Sequence, residues 1–291
     1  MNEKFKGIFT ALLTPFDEND HVNTKVLCEL VDFNLKQGVS GFYVGGSTAE
    51  TFMLTEEERL LVMKTVSEHA KGKCTLIAHV GCISVKQAIK FAKAAQYMGY
   101  DAVSSVAPFY YNFSFNEIKK YYFDVADAVQ LPMLIYNFPA CSGVNLTVDN
   151  IKEFLDDDRF IGVKHTSNDY FALEQFKAAY PDKVVYNGYD EMCLAGLSMG
   201  ADGAIGSTFN FMADKFVKIR ELVTDNNVNA AREIQKDANT IIQALCKVGV
   251  FQGEKAVLDA LGFDFGPARA PFAPLTDEQK KELLDTVLPL L

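Results

Sequence analysis

The 291-residue chain is predicted to be an α/β protein, a single (β/α)8 TIM barrel with an appended C-terminal helical segment. Three observations predict it. Short apolar, β-rich runs recur, each followed by a turn and then a helical pattern, and strands that alternate with helices imply a parallel sheet. Eight such units precede residue 227, and that repeat number suits a closed barrel. An open doubly wound sheet would carry a Gly-rich phosphate turn after its first strand, whereas the chain reads Thr14-Pro15-Phe16-Asp17 there.

In order, the strands are expected at Gly7–Phe16, Gly41–Ser47, Cys74–Gly81, Ala102–Pro108, Pro132–Asn137, Phe160–Thr166, Val184–Tyr189 and Gly203–Ser207. Each is a short apolar or β-branched run bounded by turn residues. Between them, stretches such as Glu57–Val66 and Val85–Ala95 place apolar residues at helical spacing. Thr55 with Glu58, Ser84 with Gln87 and Ser114 with Glu117 fit the capping box that opens a helix. From Asn227 the strands stop, and Ala230–Val248, Gln252–Leu261 and Thr276–Leu290 are expected as helices around an irregular Gly266–Pro271 link. The division is thus barrel over 1–226 and packed extension over 227–291, within one domain.

A formal charge of −10 argues against nucleic acid and anionic membranes as partners, leaving a small molecule. The six cysteines (28, 74, 82, 141, 193 and 246) form no C-x-x-C pair, which fits reduced thiols in a cytoplasm. The opening Met1–Lys6 is polar, unlike a signal peptide. No apolar stretch reaches the ~18 residues of a membrane span.

In a barrel, active sites collect where strands end, and polar residues gather there. Lys164 ends an apolar strand. Alternation places it on one face with Gly162 and Thr166, and puts Val163 and His165 on the other. It either reaches solvent or brings an amine into the barrel, where desolvation would lower its pKa and make it a nucleophile. Gly45-Gly46-Ser47-Thr48 is either an anion nest for a carboxylate or a plain strand-to-loop turn. Tyr136 is either a satisfied core tyrosine or a proton relay beside the lysine. Asp190 and Glu191 either complement a helix N-terminus or accept sugar hydroxyls. The histidines (21, 69, 79 and 165) form no metal-binding pattern, and His79 and His165 are expected to be structural. Lysine, phenol and nest together suit a 2-keto acid held by its carboxylate and joined to Lys164 as an imine, with no metal and no pyridoxal phosphate.

With these residues in view, the chain resembles the N-acetylneuraminate lyase and dihydrodipicolinate synthase superfamily of class I aldolases. The motifs that carry the resemblance are Gly46-Ser47-Thr48-Ala49-Glu50, Tyr136-Asn137-Phe138-Pro139, Gly162-Val163-Lys164 and Gly206-Ser207. It is most similar to the sialic acid lyases, through Tyr186–Glu191, Ala140–Gly143 and Pro108–Tyr111. The arginine that dihydrodipicolinate synthases place after Tyr-Asn-x-Pro is replaced here by Ala140 and Cys141.

The resemblance implies Lys164 as Schiff-base lysine, Tyr136 as proton-transferring phenol, and Ser47 with Thr48 on the substrate carboxylate, Ser47 also relaying protons. It puts Thr166, Gly188, Asp190, Glu191, Gly206 and Ser207 around the sugar, and Tyr110 near the site of a neighbouring subunit in a homotetramer. The implied reaction is reversible cleavage of N-acetylneuraminate to N-acetylmannosamine and pyruvate. Its rivals are another pyruvate aldolase of the same barrel, a non-catalytic sugar-acid sensor, which the intact Lys164, Tyr136 and Ser47 argue against, and a barrel metalloenzyme.

Overall fold

In a computed structural model that describes residues 3–291, eight parallel strands close into a barrel in sequence order. Met1 and Asn2, part of the polar opening noted above, lie outside the described residues. The strands are β1 (Gly7–Ala11), β2 (Gly41–Val44), β3 (Thr75–His79), β4 (Ala102–Val106), β5 (Met133–Asn137), β6 (Phe160–His165), β7 (Val184–Asn187) and β8 (Gly203–Gly206). The helices are α1 (Thr24–Lys36), α2 (Glu56–Ala70), α3 (Val85–Met98), α4 (Phe115–Asp127), α5 (Pro139–Ser142), α6 (Val148–Leu155), α7 (Tyr170–Ala179), α8 (Cys193–Ser198), α9 (Phe209–Thr224), α10 (Val228–Val248), α11 (Val250–Ala260) and α12 (Asp277–Val287).

Two apolar layers result from the alternation of strand side chains. Phe9, Tyr43, Ile77, Leu134, Tyr136, Val184, Tyr186 and Ile205 fill the barrel interior, and Phe5 closes its lower end. Leu76, Val103, Ile135, Val163 and Val185 point outward against the helices. No described helix is long and apolar enough to cross a membrane.

The strands are shorter than their sequence patterns, for local reasons. β1 stops at Ala11, before Pro15: Leu12 N–H still reaches the Tyr43 carbonyl, but Leu13 N–H turns to the Asn210 side chain. β2 stops at Val44 because Gly45 adopts a left-handed conformation (φ 75°). Thr55–Glu58 and Ser114–Glu117 close as capping boxes. Ser84–Gln87 does not: the Ser84 hydroxyl makes no cap bond, and its main-chain carbonyl accepts from Gln87 N–H and Ala88 N–H instead. A register shift where β5 meets β6 pairs Met133 with Phe160 but Leu134 with Gly162. The extra residue, Ile161, joins the interior cluster, three positions before Lys164.

Candidate active site

β5, β6 and β7 run in register at Tyr136, Lys164 and Tyr186, so three large side chains share one level of the barrel. Lys164 is 5% exposed, and its Nζ lies 4.2 Å from the Tyr136 ring centre and 4.6 Å from that of Tyr43. Aromatic faces favour the ammonium. Loss of hydration opposes it more strongly, and burial lowers the Lys164 pKa to about 7 against the upward pull of Asp190. Lys164 therefore points into the barrel and not to solvent.

Tyr136 stacks on Phe138 (5.6 Å, 20°) and meets Tyr43 edge-on at 6.0 Å. Burial raises its phenol, and the nearby Thr166 and Ser47 hydroxyls moderate the shift. Thr166 Oγ1 nonetheless completes no hydrogen bond among the described residues. A buried hydroxyl without a partner is costly, so it stands ready for one from a substrate. Gly188 faces it closely: a Cβ there would collide with Thr166 Oγ1.

After β2 the chain passes through left-handed Gly45 into a single 3-10 turn, Ser47–Ala49. As at any helix start, the Ser47 and Thr48 amides have no acceptor within the turn. Two N–H groups beside two hydroxyls suit a carboxylate. The turn is held from behind by His79, whose Nδ1 lies 2.9 Å from the Gly45 carbonyl while Nε2 accepts from Val106 N–H at 3.2 Å. Burial, with nearby Arg59 and Lys164, lowers the His79 pKa to about 3, so the ring is neutral and Nδ1–H donates.

His165 faces away from Lys164. Its Nδ1 accepts from the Asn137 amide at 3.0 Å, and its Nε2–H donates to the Asp169 carbonyl. Both histidines hold loops in place, as expected. Among the described residues no three His, Cys, Asp or Glu side chains converge as a metal-ion ligand set.

On the far side, the structure separates the two carboxylates of the Asp190-Glu191 pair. Asp190 Oδ2 accepts from Thr208 N–H (2.8 Å) and Thr208 Oγ1–H (2.7 Å), linking β7 to β8 rather than capping α8. Burial pushes its pKa up to about 6 despite the Thr208 bonds. Glu191 is half-buried. Gly206 packs against Asp190, and Ser207 stands half-buried beside them. Tyr110 stands apart: left-handed (φ 78°) and 85% exposed, its ring meets that of Tyr111 edge-on.

Four contributors escaped the sequence reading. Tyr43, which carries no motif, turns its ring to the Lys164 amine. Gln235 and Asn239 of α10 hold the Asp190 and Glu191 carbonyls, at 3.1 Å each, from over 40 residues downstream. Lys255 of α11 makes a fully buried ion pair with Glu50 (2.6 Å), just past the nest. No local pattern marks such long-range partners.

An apolar cavity of about 250 Å3 opens above Ser47, lined by Phe52, Val106, Phe109, Phe138, Cys141, Phe251 and Phe272 among others. Larger clefts of about 620 and 810 Å3 lie at the opposite end of the barrel. Ion pairs such as Lys4–Asp101 and Arg159–Asp157 involve side chains that line them.

The model of the dihydrodipicolinate synthetase family matches residues 4–288. The chain belongs to the dihydrodipicolinate synthetase family. Among its relatives in that family, the N-acetylneuraminate lyase of Rhizobium meliloti (strain 1021) is 44% identical over 288 residues, covering 99% of this chain and 96% of the relative. CdNal from Clostridium difficile, solved in complex with mannosamine, superposes with a TM-score of 0.96 at 36% identity, over 98% of this chain and 99% of that one. The N-acetylneuraminate lyase of Fusobacterium nucleatum complexed with pyruvate gives 0.94 at 36% identity, over 99% and 98%. The barrel of this family member is therefore the one its relatives share.

Proposed function

We propose that the protein is an N-acetylneuraminate lyase, cleaving N-acetylneuraminate reversibly to N-acetylmannosamine and pyruvate. The observation that carries this is the buried Lys164 amine, held between the Tyr136 and Tyr43 rings. The names of the relatives, and the mannosamine and pyruvate bound by two of them, support the choice of substrate.

The open-chain sugar acid binds with its carboxylate on the Ser47–Thr48 amides and hydroxyls. Neutral Lys164 adds to the C2 carbonyl, and the Tyr136 phenol gives its proton to the departing hydroxyl, so water leaves and a protonated imine faces a phenolate. Tyr136, working through the substrate carboxylate, takes the proton of the C4 hydroxyl as the C3–C4 bond breaks. The bond's electrons flow into the iminium, giving an enamine and releasing N-acetylmannosamine as the aldehyde. Protonation at C3 restores the iminium, and water releases pyruvate and the free amine. Lys164 itself serves as the electron sink, so these steps need neither a metal nor pyridoxal phosphate. Thr166, Gly188, Asp190, Glu191, Gly206 and Ser207 line the sugar side.

Assembly as a homotetramer, with Tyr110 reaching a neighbouring subunit, belongs to the same proposal and is supported by that ring's exposure. Six free thiols support action in a cytoplasm. The test is borohydride reduction in the presence of pyruvate, with product analysis on N-acetylneuraminate. A covalent adduct on Lys164 and release of N-acetylmannosamine are expected. An adduct that forms equally well on Lys164→Ala protein would overturn the mechanism.

A further inference from the structure

One buried acid is left over by this chemistry. Glu254 of α11 is fully enclosed, and the half-buried Ser207 lies between it and the mouth of the barrel. Its Oε1 accepts from the Ser207 hydroxyl at 2.6 Å, and among the described residues its Oε2 has no partner. The adjacent lysine does not serve it: Lys255 is paired with Glu50 and donates to the Pro267 carbonyl. Enclosure pushes the Glu254 pKa up to about 8, with Asp190 adding to the rise and the Ser207 bond and Lys255 opposing it. The bond runs from the Ser207 hydroxyl to the carboxyl oxygen, so Ser207 is the donor.

A serine hydroxyl has one proton and two lone pairs. With its proton committed inward, Ser207 presents only lone pairs to the site. Asp190 and Glu191, the neighbouring carboxylates, also accept. The wall is thereby made of acceptors, complementary to a chain of hydroxyl groups. We propose that Glu254 is a positioning residue that orients Ser207 as an acceptor and so sets the enzyme's preference for 2-keto acids with a polyhydroxylated tail. The proposal rests on the lyase reading above.

The experiment compares a tailed substrate with one that has no tail. For Glu254→Leu, and for Glu254→Met should the first fold poorly, the KM for N-acetylneuraminate is expected to rise about tenfold, the effect of one hydrogen bond. kcat should stay within about twofold, and the pyruvate concentration giving half-maximal borohydride trapping should not move. Glu254→Gln keeps a neutral carbonyl acceptor and should behave like the unaltered enzyme. Adding Glu254→Leu to Ser207→Ala should cost nothing further. An equal rise for pyruvate, additivity with Ser207→Ala, or a Glu254→Gln as impaired as Glu254→Leu would each overturn the proposal. If the unaltered enzyme neither traps pyruvate nor cleaves N-acetylneuraminate, the reading of Lys164 falls, and this proposal with it.

Discussion

The pH dependence of imine formation tests the site at its centre. An ordinary lysine titrates near 10.4, so only about one amine in 2,500 is free at pH 7. Lys164, held near 7 by burial, is about half free at that pH. The gain in reactive amine is roughly 10³-fold, equivalent to about 5 kcal/mol against the charged form. Borohydride trapping of pyruvate, followed by intact mass from pH 5 to pH 10, reads this directly. The trapping rate should rise tenfold per pH unit below 7 and level off by about pH 8. A rate still climbing tenfold per unit at pH 9 would show that Lys164 keeps the pKa of a solvated lysine, and would refute the account of the buried amine.

The same shift has a consequence for stability. The unfolded chain binds the lysine proton up to about pH 10.4, and the folded one only to about 7. The cost of burying Lys164 is therefore full below pH 7 and gone above 10.4, and Lys164→Met should raise the denaturation midpoint at pH 6 but not at pH 10.5. Tyr136→Phe removes the phenol but keeps the ring, so kcat should fall about 10²–10⁴-fold while pyruvate trapping persists, by steady-state assay and mass. Gly188→Ala drives a methyl into Thr166 Oγ1, so urea denaturation should show lower stability and the KM for N-acetylneuraminate should rise. Lys255→Met strands Glu50 in the interior and should cost about 3–5 kcal/mol by the same denaturation assay.

Residues whose meaning is set locally were legible in the sequence. Two-residue alternation was enough to put Lys164 opposite Val163 and His165, because a strand buried on both sides still separates its faces. Glycines after β2 marked the turn that frees the Ser47 and Thr48 amides. Strand ends were overrun where the cause lies elsewhere in the fold, as at Ala11, past which Leu13 N–H turns to Asn210 of α9. The Ile161 bulge was hidden because its cause is the register between β5 and β6. Ser84–Gln87 shows that a capping pattern lists the groups without fixing which of them bonds. Tyr43, Gln235, Asn239 and Glu254 lay beyond reach for one reason: each matters through a partner far away in sequence.

The clasp of α10 and α11 on the strand-end loops has a bearing on how the enzyme comes into being. Gln235, Asn239 and Lys255 fasten Asp190, Glu191 and Glu50, and Arg269 donates its backbone N–H to Glu50 and its guanidinium to Glu58. A ribosome that has delivered all eight strands has therefore still not delivered what holds their catalytic ends. Synthesis proceeds from the N-terminus at about 5–20 residues per second, so the nascent barrel waits several seconds with a loose mouth. Chains halted after residue 226 are expected to collapse without trapping pyruvate, making α10 and α11 the elements that switch chemistry on.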